Sequence, residues 1–165
     1  MIFYKIDNVV GTNGDLAGDV IFPKDINAMT KYGDDLREKS PFATFPLEWA
    51  WLSEEHPDIE NQNLIRFDFP PNIGFGLVVR LPVFDKINLC FRDFYTVKNE
   101  FSVNGEEFVW FWVPIVHVDQ MPKSEFHLFL IKPGYKPHCS SGFRNFWAKN
   151  GFTGIDFSLI EKVQK

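Results

Sequence analysis

The sequence has few cysteines, no long apolar run and no leader-like start, and each shortage excludes a class of protein. The two cysteines, Cys90 and Cys139, lie far apart and form neither a CxxC motif nor a zinc-ligand spacing. The longest apolar run, residues 108–118, is about half of the roughly 20 residues that a membrane-spanning helix needs. The first residues lack the basic segment and apolar stretch of a secretory signal. We therefore expect a cytoplasmic protein with reduced thiols and no membrane partner.

Positive charge is also scarce, since 17 Lys and Arg residues stand against 22 Asp and Glu residues, for a net charge of -5. An acidic chain lacks the basic surface that a phosphate backbone requires, so nucleic acid is not expected to be a direct partner. The negative charge is concentrated in residues 1–63, whose balance is -7, whereas residues 64–165 have a balance of +2. An acidic surface of this kind is either a solvated face or a contact for a basic partner.

Aromatic side chains are abundant. Phe, Trp and Tyr make up 17% of the 165 residues, and 19 of these side chains are Phe. A chain of this length folds as one domain and buries a substantial core. We therefore predict a single domain, residues 1–165, with an acidic part at 1–63 and an aromatic, sheet-rich part at 64–165. The rings are expected to fill a core, a contact surface or both.

Short alternating or β-branched segments predict a mainly antiparallel sheet. In chain order, the predicted strands are residues 2–6, 61–69, 74–81, 89–97, 101–103, 108–113, 115–118, 125–132 and 155–159. Asn104-Gly105 is the strongest turn signal, because a type I′ turn needs a positive φ at both central positions. The run at 108–113 is apolar on both faces, which is typical of a central strand, and Pro114 predicts a bend after it.

Two segments have helical character. The apolar residues of 46–55 predict a short helix that ends before Pro57. Near the carboxyl end, Ser140 or Ser141 is a candidate N-cap, the aromatic residues at 143, 146 and 147 share one helical face, and Asn150-Gly151 is a stop signal. Together with the strands, these helices predict an α+β fold with mainly antiparallel sheet and a few short helices.

Each metal-binding or nucleophilic motif in the sequence is weak. It contains no phosphate-binding loop, nucleophile elbow or zinc-protease motif. His117 and Asp119 share one face of a predicted strand, and with His127 or His138 they would supply the ligand set of a two-histidine, one-carboxylate iron site. Nothing in the pattern fixes the second histidine beside the first, so unrelated histidines at strand ends are the favoured interpretation.

The sequence gives little support for thiol or carboxylate catalysis either. His138 and Cys139 are adjacent in an extended segment and point to opposite faces, so they cannot form an activated pair. Cys90 is interpreted as a small buried hydrophobe inside a strand. The carboxylates at 54, 55, 58 and 60 lie in a solvated turn with no apolar enclosure to separate their pKa values. We therefore predict no catalytic residue, no metal and no cofactor.

The final third of the chain resembles bacterial immunity proteins. The resemblance covers residues 107–160, together with the short aromatic strand at Phe3-Tyr4, and is closest in the tail from Ser140 to Phe157. In that family a serine starts a short amphipathic helix, which a Gly-Leu-Thr-Gly-hydrophobic-x-Phe segment follows. Phe152 stands where Leu is usual, and the matching residues are Gly151, Thr153, Gly154, Ile155 and Phe157.

The resemblance implies an immunity protein of a polymorphic-toxin or contact-dependent competition system. Such a protein works in the cytoplasm of the producing cell, where it binds and neutralises a cognate toxin domain without catalysis. The matched residues would be scaffold: Gly151 and Gly154 set backbone turns and Phe157 packs. The resemblance carries over no catalytic residue.

A toxin that attacks nucleic acid tends to present a basic cleft, so an acidic inhibitor can bind it by charge complementarity. We predict that the contact is an acidic shoulder, defined as Glu54, Glu55, Asp58 and Glu60. Trp49 or Trp51 would be an anchor, unless both indoles face the core. Charge reversal at the first three carboxylates should then weaken binding and leave stability nearly unchanged. Two other classes stay open: a small metal-dependent enzyme that uses His117, Asp119 and His127, and a generic protein-binding adaptor.

Overall fold

A computed structural model describes residues 2–11, 17–28, 48–56, 58, 64–72, 76–123 and 126–160. In this part of the chain the larger sheet has five strands in the order β10-β1-β9-β8-β7, and all neighbours are antiparallel except β7 and β8. Its strands are β1 (Phe3–Asn8), β7 (Ile115–His117), β8 (Leu128–Lys132), β9 (Lys136–Ser140) and β10 (Ile155–Leu159). The fold is therefore α+β with mainly antiparallel sheet, as the sequence predicts.

The remaining strands form a three-stranded and a two-stranded antiparallel sheet. The first has the order β4-β6-β5, with β4 at Leu77–Arg80, β5 at Val97–Val103 and β6 at Glu106–Trp112. The second pairs β2 (Ile21–Pro23) with β3 (Trp49–Trp51). The helices whose full bounds lie in the described part of the chain are α1 (Leu52–Glu55), α2 (Leu81–Cys90), a 3₁₀ helix (Val118–Lys123) and α3 (Ser141–Lys149).

The hairpin of β5 and β6 forms where the sequence predicts it. Asn104 and Gly105 both have positive φ, 52° and 80°, and they connect strands whose register begins at Val103 opposite Glu106. β6 lies in the centre of its sheet, and its last five residues are buried. The prediction of a central strand with apolar residues on both faces is confirmed.

Aromatic rings fill the core between the sheets and helices. Phe84 of α2 lies 5.2 Å from Phe94 and 5.4 Å from Phe111 of β6, measured between ring centroids. Phe69 meets Trp147 of α3 edge to face at 6.4 Å. Such offset and edge-to-face pairs add to the stability that burial of the rings already provides. The high Phe content is thus a core-filling feature.

The predicted strand at 89–97 is wrong, because its first residues end α2. This helix begins with Pro82 in its first turn and buries Val83, Phe84 and Ile87, a spacing that places all three on one side of a helix. The alternation of apolar and polar residues after residue 89 is typical of a strand. The apolar residues at 83, 84 and 87 show instead that a helix runs up to Cys90. Cys90 is exposed at the end of the helix, so the prediction that it is a buried strand residue is also wrong.

Two further element predictions need correction. Residues 49–51 form β3 and only 52–55 are helical; 46, 47 and 57 lie outside the described residues. A strand forms because Trp49, Ala50 and Trp51 are all buried, whereas a surface helix would expose one of them. The described part of the predicted strand 61–69 is irregular, and its strand-like pairing is a single isolated bridge between Ile65 and Gly18.

The tail is confirmed as α3 followed by β10, and its matched residues have structural roles. Ser140 accepts a hydrogen bond from Phe143 N at 3.2 Å as the N-cap, and Gly151 has φ +66° just after the helix. Gly154 has φ +103°, and a Cβ there would lie 2.4 Å from the carbonyl oxygen of Phe69. Only glycine tolerates both the dihedral angle and this close approach.

Thr153 fixes the same tail to the segment that precedes β4. Its backbone nitrogen and its hydroxyl donate to Asp68 Oδ2 at 3.0 and 3.1 Å, and the backbone nitrogen of Asp68 donates back to the threonine hydroxyl at 3.1 Å. Phe69 N also donates to the Thr153 carbonyl at 3.1 Å. Phe157 is half-buried against the main core. The scaffold roles expected for Gly151, Gly154 and Phe157 are therefore confirmed.

Candidate partner-binding surface

The acidic shoulder begins at α1, and a buried carboxylate holds this short helix in place. Asp19 is 1% exposed and accepts hydrogen bonds from the backbone nitrogen of Ser53 at 3.1 Å and from its hydroxyl at 2.5 Å. The same carboxylate accepts from Arg66 Nε at 3.1 Å. A buried charge is tolerated when it is paired and hydrogen-bonded in this way. The start of α1 is thereby fixed to two distant parts of the chain.

Arg66 connects the buried carboxylate to the surface. Its guanidinium lies 4.7 Å from the centre of the Trp51 ring, and its Nη2 donates to Glu54 Oε1 at 2.7 Å. A planar guanidinium can stack flat on an indole while its N–H groups bind two carboxylates in its own plane, a geometry that a tetrahedral ammonium group does not offer. Arg66 thus holds Glu54 in one position relative to the core.

Glu54 receives a second donor from the tip of the β5–β6 hairpin. The side-chain amide of Asn104 lies 2.7 and 2.6 Å from the two carboxylate oxygens. Partial burial acts to raise the pKa of Glu54, but the hydrogen bonds from Asn104 and Arg66 outweigh it and the pKa is lowered. The carboxylate is therefore charged, oriented and committed to internal contacts, although its side chain is 39% exposed.

The other members of the acidic shoulder differ in how they are held. Glu55 forms a long ion pair of 3.6 Å with Lys24, in which both side chains are well exposed. Asp58 is exposed, and Glu60 lies outside the described residues. An exposed ion pair such as Glu55–Lys24 contributes little to stability and is easily exchanged. Glu55 and Asp58 therefore both present a carboxylate to solvent or to a partner.

Both tryptophans predicted as anchors lie in the core. Trp49 is 5% exposed and stacks on Phe101 at 4.5 Å, and Trp51 is fully buried with its edge toward Phe108 at 5.5 Å. The prediction that one of them anchors a partner is corrected, because β3 is covered on both faces. The alternative interpretation, that both indoles face the core, is what the structure shows.

Sequence reasoning missed the three residues that organise this surface. Asp19 lies 34 positions from its partner Ser53. Arg66 and Asn104 lie 12 and 50 positions from their shared partner Glu54. The turn signal at Asn104 was recognised, but its side-chain partner depends on how the hairpin packs beside α1. No local pattern carries that information.

The structure does not bring His117, Asp119 and His127 together. The parallel register of β7 and β8 places His117 beside Lys132, whereas His127 precedes the other end of β8, about 16 Å away at the usual rise per residue. His127 instead contacts Ser140 Oγ at 2.8 Å and packs on Phe91 at 4.8 Å. Among the described residues, no three His, Cys, Asp or Glu side chains converge as a metal site would require.

His138 and Cys139 point to opposite faces of the five-stranded sheet, as expected for neighbours in a strand. Cys139 belongs to the main core, whereas the His138 ring stacks at 6.0 Å on Phe129 of a separate small cluster. Burial raises the pKa of the Cys139 thiol to about 12, and burial lowers the pKa of His138. The geometry keeps Cys139 protonated and out of reach of the imidazole.

A cleft of about 460 Å³ lies where the two larger sheets separate. Its walls come from β1, β4, β6 and the turn between β8 and β9. The lining residues are Lys5, Ile6, Asp7, Asn8, Phe69, Asn72, Gly76, Leu77, Trp112, Leu130, Gly134, Tyr135, Lys136 and Pro137. This volume lies within the range of ligand-binding sites. The sequence analysis did not identify this cleft.

Comparison of the chain with protein-family models, with curated protein sequences and with solved structures gives no match. The helices in the described part of the chain lack the length and apolar character that crossing a bilayer requires.

Proposed function

We propose that this protein is a non-catalytic immunity protein that binds and neutralises a cognate bacterial toxin domain in the cytoplasm. The observation that carries the proposal is the tail from Ser140 to Phe157, which resembles that family. Its matched residues are those with special backbone or packing requirements, namely Gly151, Thr153, Gly154 and Phe157. A resemblance concentrated at such positions supports the proposal, because these residues close the fold of this chain.

The surface that favours a basic partner is the acidic shoulder. Glu54 is held in place by Arg66 and Asn104, and these contacts fix the helix that carries Glu55 before any partner arrives. Glu55 and Asp58 lie beside it and are exposed. Charge complementarity of this kind speeds encounter and fixes the register of a complex.

Trp49 and Trp51 are buried beneath the acidic shoulder and do not reach its surface. Because Arg66 stacks on Trp51, the position of the acidic shoulder depends on the core packing of β3. We therefore propose that the exposed carboxylates of the acidic shoulder, and not the two tryptophans, contact the partner.

The test is binding to the carboxyl-terminal domain of the protein encoded beside this one, measured by calorimetry. The double variant Glu55→Lys/Asp58→Lys should bind at least about tenfold more weakly, because two favourable charge contacts become repulsive. Glu54 is left unchanged in this experiment, because its reversal would break the contacts with Arg66 and Asn104.

A matched control reverses two exposed carboxylates elsewhere, Asp85→Lys/Asp156→Lys, and carries the same change in net charge. The control should bind within about twofold of the unmodified protein, since charges far from an interface act only through a screened field. Equal weakening in both double variants would assign the effect to net charge and would remove the acidic shoulder as the interface. Absence of binding by the unmodified protein would contradict the proposed function itself.

A further inference from the structure

β10 lies at the edge of the five-stranded sheet. On one side it pairs with β1, residue for residue along its whole length. In the described part of the chain no strand lies on its other side. The free stretch has a defined start, because Phe69 N already donates to the carbonyl of Thr153 just before the strand. The open edge is therefore β10 itself, Ile155–Leu159.

The alternation of an antiparallel ladder shows which residues of β10 have free main-chain groups. Ile160 N donates to the Phe3 carbonyl at 3.2 Å, so the even-numbered residues of this segment exchange their main-chain hydrogen bonds with β1. The odd-numbered residues direct their N–H and C=O groups away from β1. These residues are Ile155, Phe157 and Leu159, and within the described ranges nothing bonds to their outward main-chain groups. The edge thus presents donors and acceptors at every second residue.

β10 lacks the features that usually protect a sheet edge, which are Lys, Pro, a bulge or a very short strand. Its sequence is Ile-Asp-Phe-Ser-Leu, and its pairing with β1 contains no bulge. At the opposite edge of the same sheet, β7 has three residues and follows Pro114. The last residue of β10, Leu159, is 59% exposed. An unprotected edge that ends in an exposed apolar side chain favours pairing with another strand.

The sequence of β10 is self-complementary when two copies pair antiparallel about Phe157. Phe157 is then opposite Phe157 of the second copy, and Ile155 is opposite Leu159, so that all the outward main-chain groups are paired. These apolar side chains meet on the face that packs against the main core, to which Ile155 and Phe157 belong. On the other face, Asp156 is opposite the neutral Ser158 of the second copy.

The neighbouring symmetric registers are less favourable. A pair centred on Asp156 would place two carboxylates directly opposite each other, which is destabilising. A pair centred on Ser158 would leave Ile155 without a partner in the strand. Phe157 is therefore the centre that the side chains of β10 favour.

We propose that the edge of β10 binds a second copy of this chain and forms a symmetric dimer. The five-stranded sheet of one copy then continues into that of the other across a two-fold axis at Phe157. Such a contact is isologous, so one pairing uses both free edges and closes the assembly. β10 shares no residue with the acidic shoulder, and the proposal is independent of the proposed function.

Sedimentation equilibrium of the full chain at increasing concentration measures the association. A strand pair of this length buries less surface than a standard protein interface, so we expect a dissociation constant of about 10–100 µM. Leu159→Lys should weaken association about tenfold or more, because it replaces an apolar contact by the residue that typically protects edges. Leu89→Lys makes the same change at an 83% exposed leucine in α2 and is the matched control. It should stay within about twofold.

Cysteine cross-linking tests the register. The background is Cys90→Ser, in which the remaining Cys139 is buried. Opposed residues of a hydrogen-bonded pair have Cα atoms about 5.5 Å apart, within the range of a disulfide. A mixture of Ile155→Cys and Leu159→Cys proteins should therefore give a disulfide-linked pair on oxidation. Neither variant alone should do so, because two copies of one of these residues lie about 14 Å apart in this register.

Three results would overturn the inference. The first is an unmodified chain that stays monomeric up to about 1 mM, well above the expected dissociation constant. The second is a dimer that Leu159→Lys and Leu89→Lys weaken equally, which would place the contact away from β10. The third is a cross-link that forms in either single variant as readily as in the mixture. Thermal unfolding midpoints of all variants check that each one is folded.

Discussion

The side-chain amide of Asn104 lies within 2.7 Å of both carboxylate oxygens of Glu54, which joins the tip of the β5–β6 hairpin to α1. Asn104 also has φ +52°, a conformation that asparagine tolerates better than most residues. One residue therefore completes the turn and orients the carboxylate of the acidic shoulder.

Replacing Asn104 with Asp should destabilise the protein by about 1 kcal/mol, because a donor becomes a second carboxylate while the turn propensity is kept. Asn145→Asp, on the exposed face of α3, adds the same charge and should change the free energy of unfolding by only a few tenths of a kcal/mol. Urea unfolding of both variants measures the difference. Equal stability of the two variants would show that the Asn104–Glu54 contact contributes nothing.

The lowered pKa of Glu54 predicts a pH dependence of stability. A carboxylate whose pKa is lower in the folded state contributes stability above its usual pKa of 4.5, and this contribution is lost as pH falls through the folded-state pKa. The free-energy difference between the unmodified protein and Glu54→Gln should be constant near neutral pH and shrink below 4.5. Urea titrations across that range check it; a difference that grows with acidity would contradict the assigned contacts.

Gly154→Ala should cost more than about 3 kcal/mol, because the φ of +103° and the close Phe69 carbonyl act together. Gly151 offers a matched comparison: its φ is +66°, and a Cβ there would meet nothing within 4 Å. Gly151→Ala should cost about 1 kcal/mol for the backbone conformation alone. Unfolding midpoints of the two variants distinguish the cases, and a smaller loss at Gly154 than at Gly151 would be inconsistent with the observed packing.

The two thiols should react very differently with a thiol-specific chromogenic reagent at mildly alkaline pH. Cys90 is exposed, whereas Cys139 is buried and its pKa is raised to about 12. Because only the thiolate reacts, the folded protein should release one equivalent of chromophore quickly, and the second only after denaturation. Cys90→Ser should remove the fast phase. A fast phase that persists in this variant would place Cys139 at the surface.

Features set by neighbouring residues were predictable from the sequence. The Asn104-Gly105 hairpin, the central strand β6 and the serine N-cap of α3 depend on residues within a few positions of one another. All three are confirmed, and of the two candidate caps it is Ser140 that the structure shows. Two wrong predictions, a helix at 46–55 and a strand at 89–97, also have physical reasons. Trp49–Trp51 is apolar in every position, so periodicity could not separate strand from helix, and the true period of α2 is visible only from Leu81 onward.

Contacts between distant segments were not predictable. The carboxylate of Glu54 was identified as part of an acidic surface, but its partners Arg66 and Asn104 come from other elements. The cleft likewise depends on which strands lie beside one another, because its lining residues come from β1, β4, β6 and the turn between β8 and β9. These relationships follow from topology, which a single sequence does not encode locally.

The most direct measurement of the central claim is growth of cells that express the carboxyl-terminal domain of the neighbouring gene's product, with and without this protein. The proposed function predicts growth arrest by that domain alone, rescue by this protein, and loss of rescue with Glu55→Lys/Asp58→Lys but not with Asp85→Lys/Asp156→Lys. A toxic domain that this protein neither binds nor neutralises would contradict the account.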